Sequence, residues 1–247
     1  RDGTRTFTVN VTTDSTVRSL GDGTAADSSG QISLRAAIQE ANALTGFSQI
    51  VIPAGTFQLS LTGTEGDTTN LSGIGDLDIV GELTIEGAGQ DQTFIDAGEL
   101  FRVMQIHSGA QVTIRDLTIQ NGQSTFGGGV HVGAGTLTLD DVTVTSNVAT
   151  GSDTLSHGGG ISLDLATLIL TGSTINGNMA AVDGGGIYAT NSVVQTTDST
   201  VSANTATGSG GGLGFVNVNA QFSNSSISGN SCLLYTSDAA DDCWGVG

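Results

Sequence analysis

Apolar and polar residues alternate in short runs along most of the chain. In GVHVGAGTLTLDDVTV, residues 129–144, apolar residues recur at every second position, and Gly, Ala and Asp interrupt the runs. Such alternation is typical of strands that bury one face, and small or acidic residues between the runs are typical of turns. The sequence therefore predicts an all-β protein made of many short strands.

One stretch has a different pattern. Good helix formers make up residues 33–44, SLRAAIQEANAL, and Leu34, Ile38 and Ala41 fall on one helical face. Ser33 is a suitable N-cap. We expect a helix over residues 33–44, within an N-terminal cap that spans residues 1–49.

The strand pattern repeats along the chain. The triplet GGG occurs four times, at spacings of 31, 26 and 26 residues, and an aliphatic residue follows each triplet directly. A second aliphatic residue stands fifteen positions after each triplet, and an asparagine stands three positions further on. The glycines that open the triplets, which we assign to turns, are Gly127, Gly158, Gly184 and Gly210. The asparagines are Asn147, Asn178, Asn204 and Asn230.

This repeat predicts a solenoid. A single repeat cannot bury its apolar side chains, whereas stacked repeats bury them and pair each strand with its equivalent in the next repeat. We therefore expect a parallel β-helix over residues 50–231, with strands about 4.8 Å apart. The predicted helix would cover the open edge of the first coil, which would otherwise invite aggregation. Ten residues separate Asn147 from Gly158, against five in the next two repeats, which predicts an inserted loop.

The cap and the repeats both resemble known families. The N-terminal segment of the CSLREA family of secreted or surface bacterial and archaeal β-helix proteins resembles residues 21–59, GDGTAADSSGQISLRAAIQEANALTGFSQIVIPAGTFQL. The same family fits residues 81–98, GELTIEGAGQDQTFIDAG, and residues 112–122, VTIRDLTIQNG. The repeats are similar to those of chlamydial polymorphic outer membrane proteins, whose motifs read GGA-aliphatic and Phe-x-x-Asn. The resemblance implies a single-stranded right-handed parallel β-helix of the pectin-lyase-like fold, outside the cell or on its surface.

The cap departs from this family at three positions. Ala25 and Ile32 stand where relatives commonly have cysteine, as though a disulfide had been lost as a unit. Ala36 occupies the place of the glutamate in the family's Ser-x-x-Glu capping box. We expect this cap to be looser than those of its relatives.

The C-terminal stretch departs from the repeat altogether. Residues 232–247 contain the only two cysteines, Cys232 and Cys243, and the only tryptophan of the chain. The stretch resembles a translated sequencing adapter, so we interpret residues 232–247 as a non-native or disordered tail of a metagenomic fragment. The chain also opens on Arg1 without a methionine, as a fragment would. A genuine C-terminal cap is the alternative.

The charge excludes some partners. The chain has 24 acidic against 6 basic residues, a formal net charge of −18 at pH 7. This charge disfavours nucleic acid and anionic lipid, and no apolar run is long enough to span a bilayer, so we expect no direct membrane insertion by this segment. We expect no cofactor, with bound Ca²⁺, which would screen the repulsion, as the alternative.

The repeat aligns two columns of polar side chains. The asparagines would form a structural ladder, because each amide can bond turn backbone and the next asparagine. A second column, three residues before a strand aliphatic, contains Asp116, Asp141, Gly172, Asp198 and Asn224. Turn formation explains this column, and the alternative is a Ca²⁺ site among Asp116, Asp141 and Asp198.

An outward column is rich in threonine. Its members are Thr118, Thr143, Thr174, Thr200 and Ser226. Regular threonine ranks resemble ice-binding surfaces, but threonine also suits any exposed strand position. The neighbouring column, two residues further on, is mixed, so ice binding is only a remote alternative.

Catalysis would require a cluster that interrupts the repeat. A polysaccharide lyase needs a base and usually a metal, and a glycoside hydrolase needs two carboxylates at a set separation. The enzymatic candidates are Asp96, Arg102, His107 and Asp116. His131 aligns with Ser162, Tyr188 and Gly214 in a variable outward column, and His157 lies in the inserted loop. The net charge would repel a uronate chain.

The sequence as a whole favours a structural or adhesin-like role. Repetition without a distinctive cluster suits a secreted or cell-surface, non-catalytic β-helix protein that binds a cell-surface glycan or a protein ligand. The alternative is a polysaccharide lyase or glycoside hydrolase of pectin-lyase-like fold that acts on acidic polysaccharide. Fold analogy alone does not decide between them.

Overall fold

The computed structural model describes residues 4–62, 73–151 and 157–233. Within these residues it contains one helix, α1 (Leu34–Ala43), and 24 strands. The strands are β1 (Arg5–Thr8), β2 (Ser48–Val51), β3 (Gly55–Gln58), β4 (Leu77–Ile79), β5 (Glu82–Glu86), β6 (Thr93–Asp96), β7 (Met104–Ile106), β8 (Gln111–Gln120), β9 (Gln123–Ser124), β10 (Val130–Gly133), β11 (Thr136–Thr145), β12 (Val148–Ala149), β13 (Ile161–Asp164), β14 (Thr167–Thr171), β15 (Thr174–Asn176), β16 (Met179–Ala180), β17 (Ile187–Thr190), β18 (Val193–Thr197), β19 (Thr200–Ser202), β20 (Thr205–Ala206), β21 (Leu213–Val216), β22 (Asn219–Ser223), β23 (Ser226–Ser228) and β24 (Ser231–Cys232).

The strands form three parallel sheets. A thirteen-stranded sheet, here the long sheet, has the backbone order β1-β2-β5-β8-β11-β14-β18-β22, with β3, β6, β15, β19 and β23 paired alongside. The second sheet has six strands, in the order β4-β7-β10-β13-β17-β21, and the third has five, β9-β12-β16-β20-β24. Each strand pairs with the strand at the same place in the next repeat, so that Val130 lies opposite Ile161 and Ile161 opposite Ile187. The all-β, parallel architecture is confirmed, and its connectivity is compatible with a β-helix.

Alternate residues of most strands up to β19 form one continuous core. In β10 and β11 the inward residues are fully buried. They are Val130, Val132, Leu137, Leu139, Val142 and Val144. Burial of each such aliphatic side chain contributes about 1.5–3 kcal/mol, so repeated coils stabilise one another mainly through this core.

Helix α1 packs its apolar face against strands of the long sheet and the six-stranded sheet. Ser33 is the N-cap, and its Oγ accepts a hydrogen bond from the Ala36 N–H at 3.0 Å. Leu34 and Ile38 are buried, and the helix packs on β2 and β4. The predicted helix is therefore confirmed, with Ser33 and Leu44 as the flanking caps rather than helical residues.

The polar side chains of α1 also bond the surrounding cap. Arg35 Nε donates to Asp14 Oδ1 at 2.7 Å, and the two side chains are 0% and 1% exposed. Arg35 Nη2 donates to the Gly75 carbonyl at 2.7 Å, just before β4. Glu40 accepts from the backbone N–H of Gly21 at 2.7 Å. These contacts connect the helix to the N-terminal segment and to the residues just before β4, the first strand of the six-stranded sheet.

Residues with left-handed backbone, here called corners, recur at fixed places in the repeat. The column Asp116, Asp141, Gly172, Asp198 and Asn224 has φ values from 49° to 57°. The glycines that open the triplets have φ values from 55° to 70°. Asp, Asn and Gly adopt this conformation at lower cost than other residues, which explains their recurrence at the corners.

Two predictions fall on residues outside the described ranges. Half of the ten-residue stretch before Gly158, residues 152–156, lies outside them, as does the tail from residue 234 to residue 247, with Cys243. Cys232 is buried, and β24 pairs in parallel with β20. The described part of the chain has no helix with the length and apolar character needed to cross a membrane.

Candidate ligand-binding surface

The four repeat asparagines form a ladder, in which Asn147, Asn178 and Asn204 are buried and Asn230 is partly exposed. Asn178 Oδ1 accepts from the N–H and from Nδ2 of Asn147, both at 3.0 Å. Asn178 Nδ2 donates to the Val144 carbonyl at 2.9 Å and to Asn204 Oδ1 at 3.0 Å. Asn204 bonds Asn230 in the same way. The three buried side-chain amides bond the turn backbone and one another, so they offer no group to a ligand.

A second, serine ladder was not predicted from the sequence. Ser173 Oγ accepts from the Val142 N–H at 3.1 Å, Ser199 Oγ from the Ser173 N–H at 3.1 Å, and Ser225 Oγ from the Ser199 N–H at 3.2 Å. Each serine directly follows a left-handed corner residue. Its 26-residue recurrence was a usable signal, but serine is so common in this chain that the pattern did not stand out.

Two of the four enzymatic candidates lie in one polar cluster. Arg102 Nη1 forms a 3.1 Å ion pair with Asp76 Oδ2 and also bonds Gln105 Oε1. His107 Nε2 lies 2.8 Å from Asp78 Oδ1. Asp78 and Gln105 are opposite each other in β4 and β7 of the six-stranded sheet. We call Asp76, Asp78, Arg102, Gln105 and His107 the arginine cluster.

The other two enzymatic candidates lie on the long sheet. Asp96, at the end of β6, accepts from Gln120 Nε2 and Asn121 Nδ2, both at 2.8 Å. Asp116 occupies a left-handed corner within β8. The four candidates are therefore divided between two sheets, and Asp96 is engaged in structural hydrogen bonds.

The proposed calcium column places Asp116 close to other carboxylates. Burial, and then the charges of Asp141, Glu86 and Asp140, raise the pKa of the Asp116 carboxyl. Asp198 Oδ1 accepts from Asn224 Nδ2. Among residues 4–62, 73–151 and 157–233, no three His, Cys, Asp or Glu side chains are arranged to hold a metal ion.

The threonine column is partly covered. Thr118 is buried and donates to the Gln90 carbonyl, and Thr143 Oγ1 donates to Gln90 Oε1 at 2.8 Å. The column is in register from Thr143 through Thr174 to Thr200. Gln90 therefore shortens the flat array at its N-terminal end.

Four partly exposed rings gather beside the arginine cluster. The rings of His157 and Tyr188 are stacked, with centroids 4.0 Å apart and an interplanar angle of 11°. The rings of Phe126 and His131 have centroids 6.2 Å apart, and Phe126 pairs with His157 through an isolated parallel bridge. We call Phe126, His131, His157 and Tyr188 the ring patch. Arg102 Nε donates to the Phe126 carbonyl at 3.0 Å, which joins the patch to the cluster.

The sequence indicated parts of this surface, but not that the four rings lie next to one another. His131 and Tyr188 do share an outward column, which runs Asp78, Gln105, His131, Ser162, Tyr188, Gly214. Phe126 and His157 each directly precede a GGG triplet. That second alignment was the signal that could have brought the four rings together.

The electrostatics of the surface favour neutral imidazole at its centre. Burial, and then the charge of Arg102, lower the pKa of His131 from 6.5 to about 4. His131 Nδ1 is buried and has no hydrogen-bond partner among the described residues. Burial and the charge of Asp183 raise the pKa of the Tyr188 hydroxyl. At neutral pH both side chains are therefore uncharged.

Comparison of the chain with protein-family models, curated proteins and solved structures finds no match in any of the three. The function is therefore inferred from the residues and geometry of this surface.

Proposed function

We propose that the chain is a secreted or cell-surface, non-catalytic β-helix protein with an adhesin-like role, and that it binds its ligand at the ring patch. The three parallel sheets and the helix-capped first coil support a single-stranded right-handed β-helix with a CSLREA-type cap. The buried Arg35–Asp14 pair holds the helix of this cap against the N-terminal segment.

The observation that carries the proposal is the break in the repeat at the ring patch. Other outward positions of the six-stranded sheet, such as Asp78, Ser162 and Gly214, hold no ring. At the patch two of the chain's three histidines lie together with two aromatic residues, in a chain that is only 4% Phe, Trp and Tyr. Rings and arginine side chains dominate the energetics of binding surfaces, whereas a purely passive coil has no need of them.

A glycan array together with a panel of purified cell-surface proteins tests this proposal. We expect the protein to bind at least one ligand, and Tyr188→Ala to weaken that binding about tenfold or more. Phe94→Ala, which removes a partly exposed ring from the long sheet, is the matched control and should leave binding unchanged. Equal losses in the two variants, or no ligand in either set, would contradict the proposal.

One observation supports the second candidate function, a polysaccharide lyase or hydrolase. Asp78 holds His107 at 2.8 Å beside the Arg102 guanidinium, and an imidazole oriented by a carboxylate is a common general base. We keep it second because Arg102 is already paired with Asp76, so its charge is not available to neutralise a uronate. Release of unsaturated products or reducing ends from polygalacturonate, abolished by His107→Ala, would establish this alternative and replace the binding proposal.

A further inference from the structure

We infer that the ligand of the ring patch is an uncharged oligosaccharide that lies along the stacking direction of the coils, from Gln105 across His131 to Tyr188. This inference rests on the proposed binding role and adds to it the chemical class of the ligand.

The carboxylates around the ring patch disfavour a negatively charged ligand. Four carboxylates, those of Asp76, Asp78, Asp164 and Asp183, surround the patch, against one guanidinium. The guanidinium of Arg102 is bonded to one of these carboxylates and to Gln105. A uronate or sulfated chain would therefore meet a net negative surface, in a chain whose overall charge is already −18.

The carboxylates around the patch already have partners within the protein, which disfavours a positively charged ligand. Asp76 Oδ2 is paired with Arg102 Nη1 at 3.1 Å. The nearest carboxylates are already engaged, since Asp78 lies 2.8 Å from His107 and Asp183 Oδ1 accepts from the Ser209 N–H at 2.6 Å. A basic peptide or an amino-sugar chain would have to break these contacts to form its own ion pairs.

Hydrogen-bonding groups and rings follow one another along the stacking direction, as an extended sugar chain requires. Outward residues of successive repeats recur about every 4.8 Å along the stack, close to the length of one sugar unit in an extended chain. Gly214 has no side chain, so the Tyr188 ring lies directly against it; a Cβ there would come within 2.9 Å of Tyr188 Cδ2. The exposed parts of the rings can pack against the C–H faces of sugars, the Gln105 amide nitrogen can donate to sugar hydroxyls, and the Tyr188 hydroxyl can donate or accept.

The test compares three classes of oligosaccharide by calorimetric titration. The uncharged class consists of glucose and mannose oligomers, the acidic class of oligogalacturonate, and the cationic class of chitosan oligomers. We expect an uncharged oligomer to bind, with about tenfold weaker binding by Tyr188→Ala or Gln105→Ala and none of that loss in Phe94→Ala. Binding should change little between low and high salt, because no ion pair is formed.

The outcomes separate the inference from the proposed function. Tyr188-dependent binding of the acidic or the cationic class, or of a protein alone, would overturn the inference and leave the binding role in place. If no ligand of any kind depends on Tyr188, both fail. Far-UV circular dichroism of each variant checks that a loss of binding is not a loss of folding.

Discussion

Replacement of Asn178 by alanine should destabilise the protein severely, although the side chain is small. Asn178 makes four side-chain hydrogen bonds, at 2.9 to 3.0 Å, and is buried. At a net contribution near 1 kcal/mol per bond, Asn178→Ala should lower the free energy of unfolding by about 4 kcal/mol. Part of that cost is the Asn147 N–H, which is left buried without its acceptor.

The chain offers a closely matched control two residues away. Asn176 Oδ1 is buried but has no hydrogen-bond partner among the described residues. Asn176→Ala makes the same chemical change at the end of β15, so we expect a free-energy change within about 0.5 kcal/mol. The difference between the two variants therefore isolates the ladder bonds from any general effect of losing an amide.

Urea unfolding followed by circular dichroism measures both variants. Linear extrapolation gives each free energy, and an unchanged slope with urea would show that the coils still unfold together. A smaller slope for Asn178→Ala would show that the coils on either side of the ladder now unfold separately. A loss below about 1 kcal/mol, or one equal to that of Asn176→Ala, would refute the argument that the ladder stabilises the coils.

Three further variants test other parts of the structure. Gly159→Ala should lower the free energy of unfolding in urea by about 3 kcal/mol or more, because the new Cβ would meet backbone carbonyl oxygens of the neighbouring repeat. Gly81→Ala is the control and should leave that free energy unchanged, because the space around Gly81 is open. Arg35→Met should cost about 3–5 kcal/mol, since it leaves Asp14 buried without a cation, and an unchanged melting temperature would contradict this. The free energy of unfolding should fall by up to about 3 kcal/mol as the pH drops from 6.5 to about 4, because His131 binds a proton in the unfolded chain but not in the folded protein. The variant His131→Gln should lose that part of the pH dependence of unfolding.

The period of the repeat made the fold predictable, because it states which residues are opposite each other. The GGG alignment places Val130 opposite Ile161, and β10 and β13 have that register. The helix could be predicted equally well, because its N-cap Ser33 and its apolar face both lie within the segment itself. Both features depend on residues that are local or repeated, which a single sequence records directly.

The ring patch could not be predicted in the same way. The stack of His157 on Tyr188 joins two different columns, and its formation depends on how far each outward side chain leans over its neighbours. Alternation shows only that a residue faces outward. Arg102 and His107 were recognised as candidates by residue type. Their pairing with Asp76 and Asp78 depends on side-chain packing, which the repeat spacing does not predict.

The uniform register of the later coils makes the molecule extendable in fixed steps. From Gly158 to Gly184 and from Gly184 to Gly210 the chain advances 26 residues, and each coil meets its neighbours through the same glycine, serine and asparagine contacts. Removal or duplication of one such block would restore these glycine, serine and asparagine contacts at the new junction, whereas loss of a single residue would turn inward side chains outward. Such a scaffold can change its length by whole blocks, about 4.8 Å at a time, without redesign of its interior.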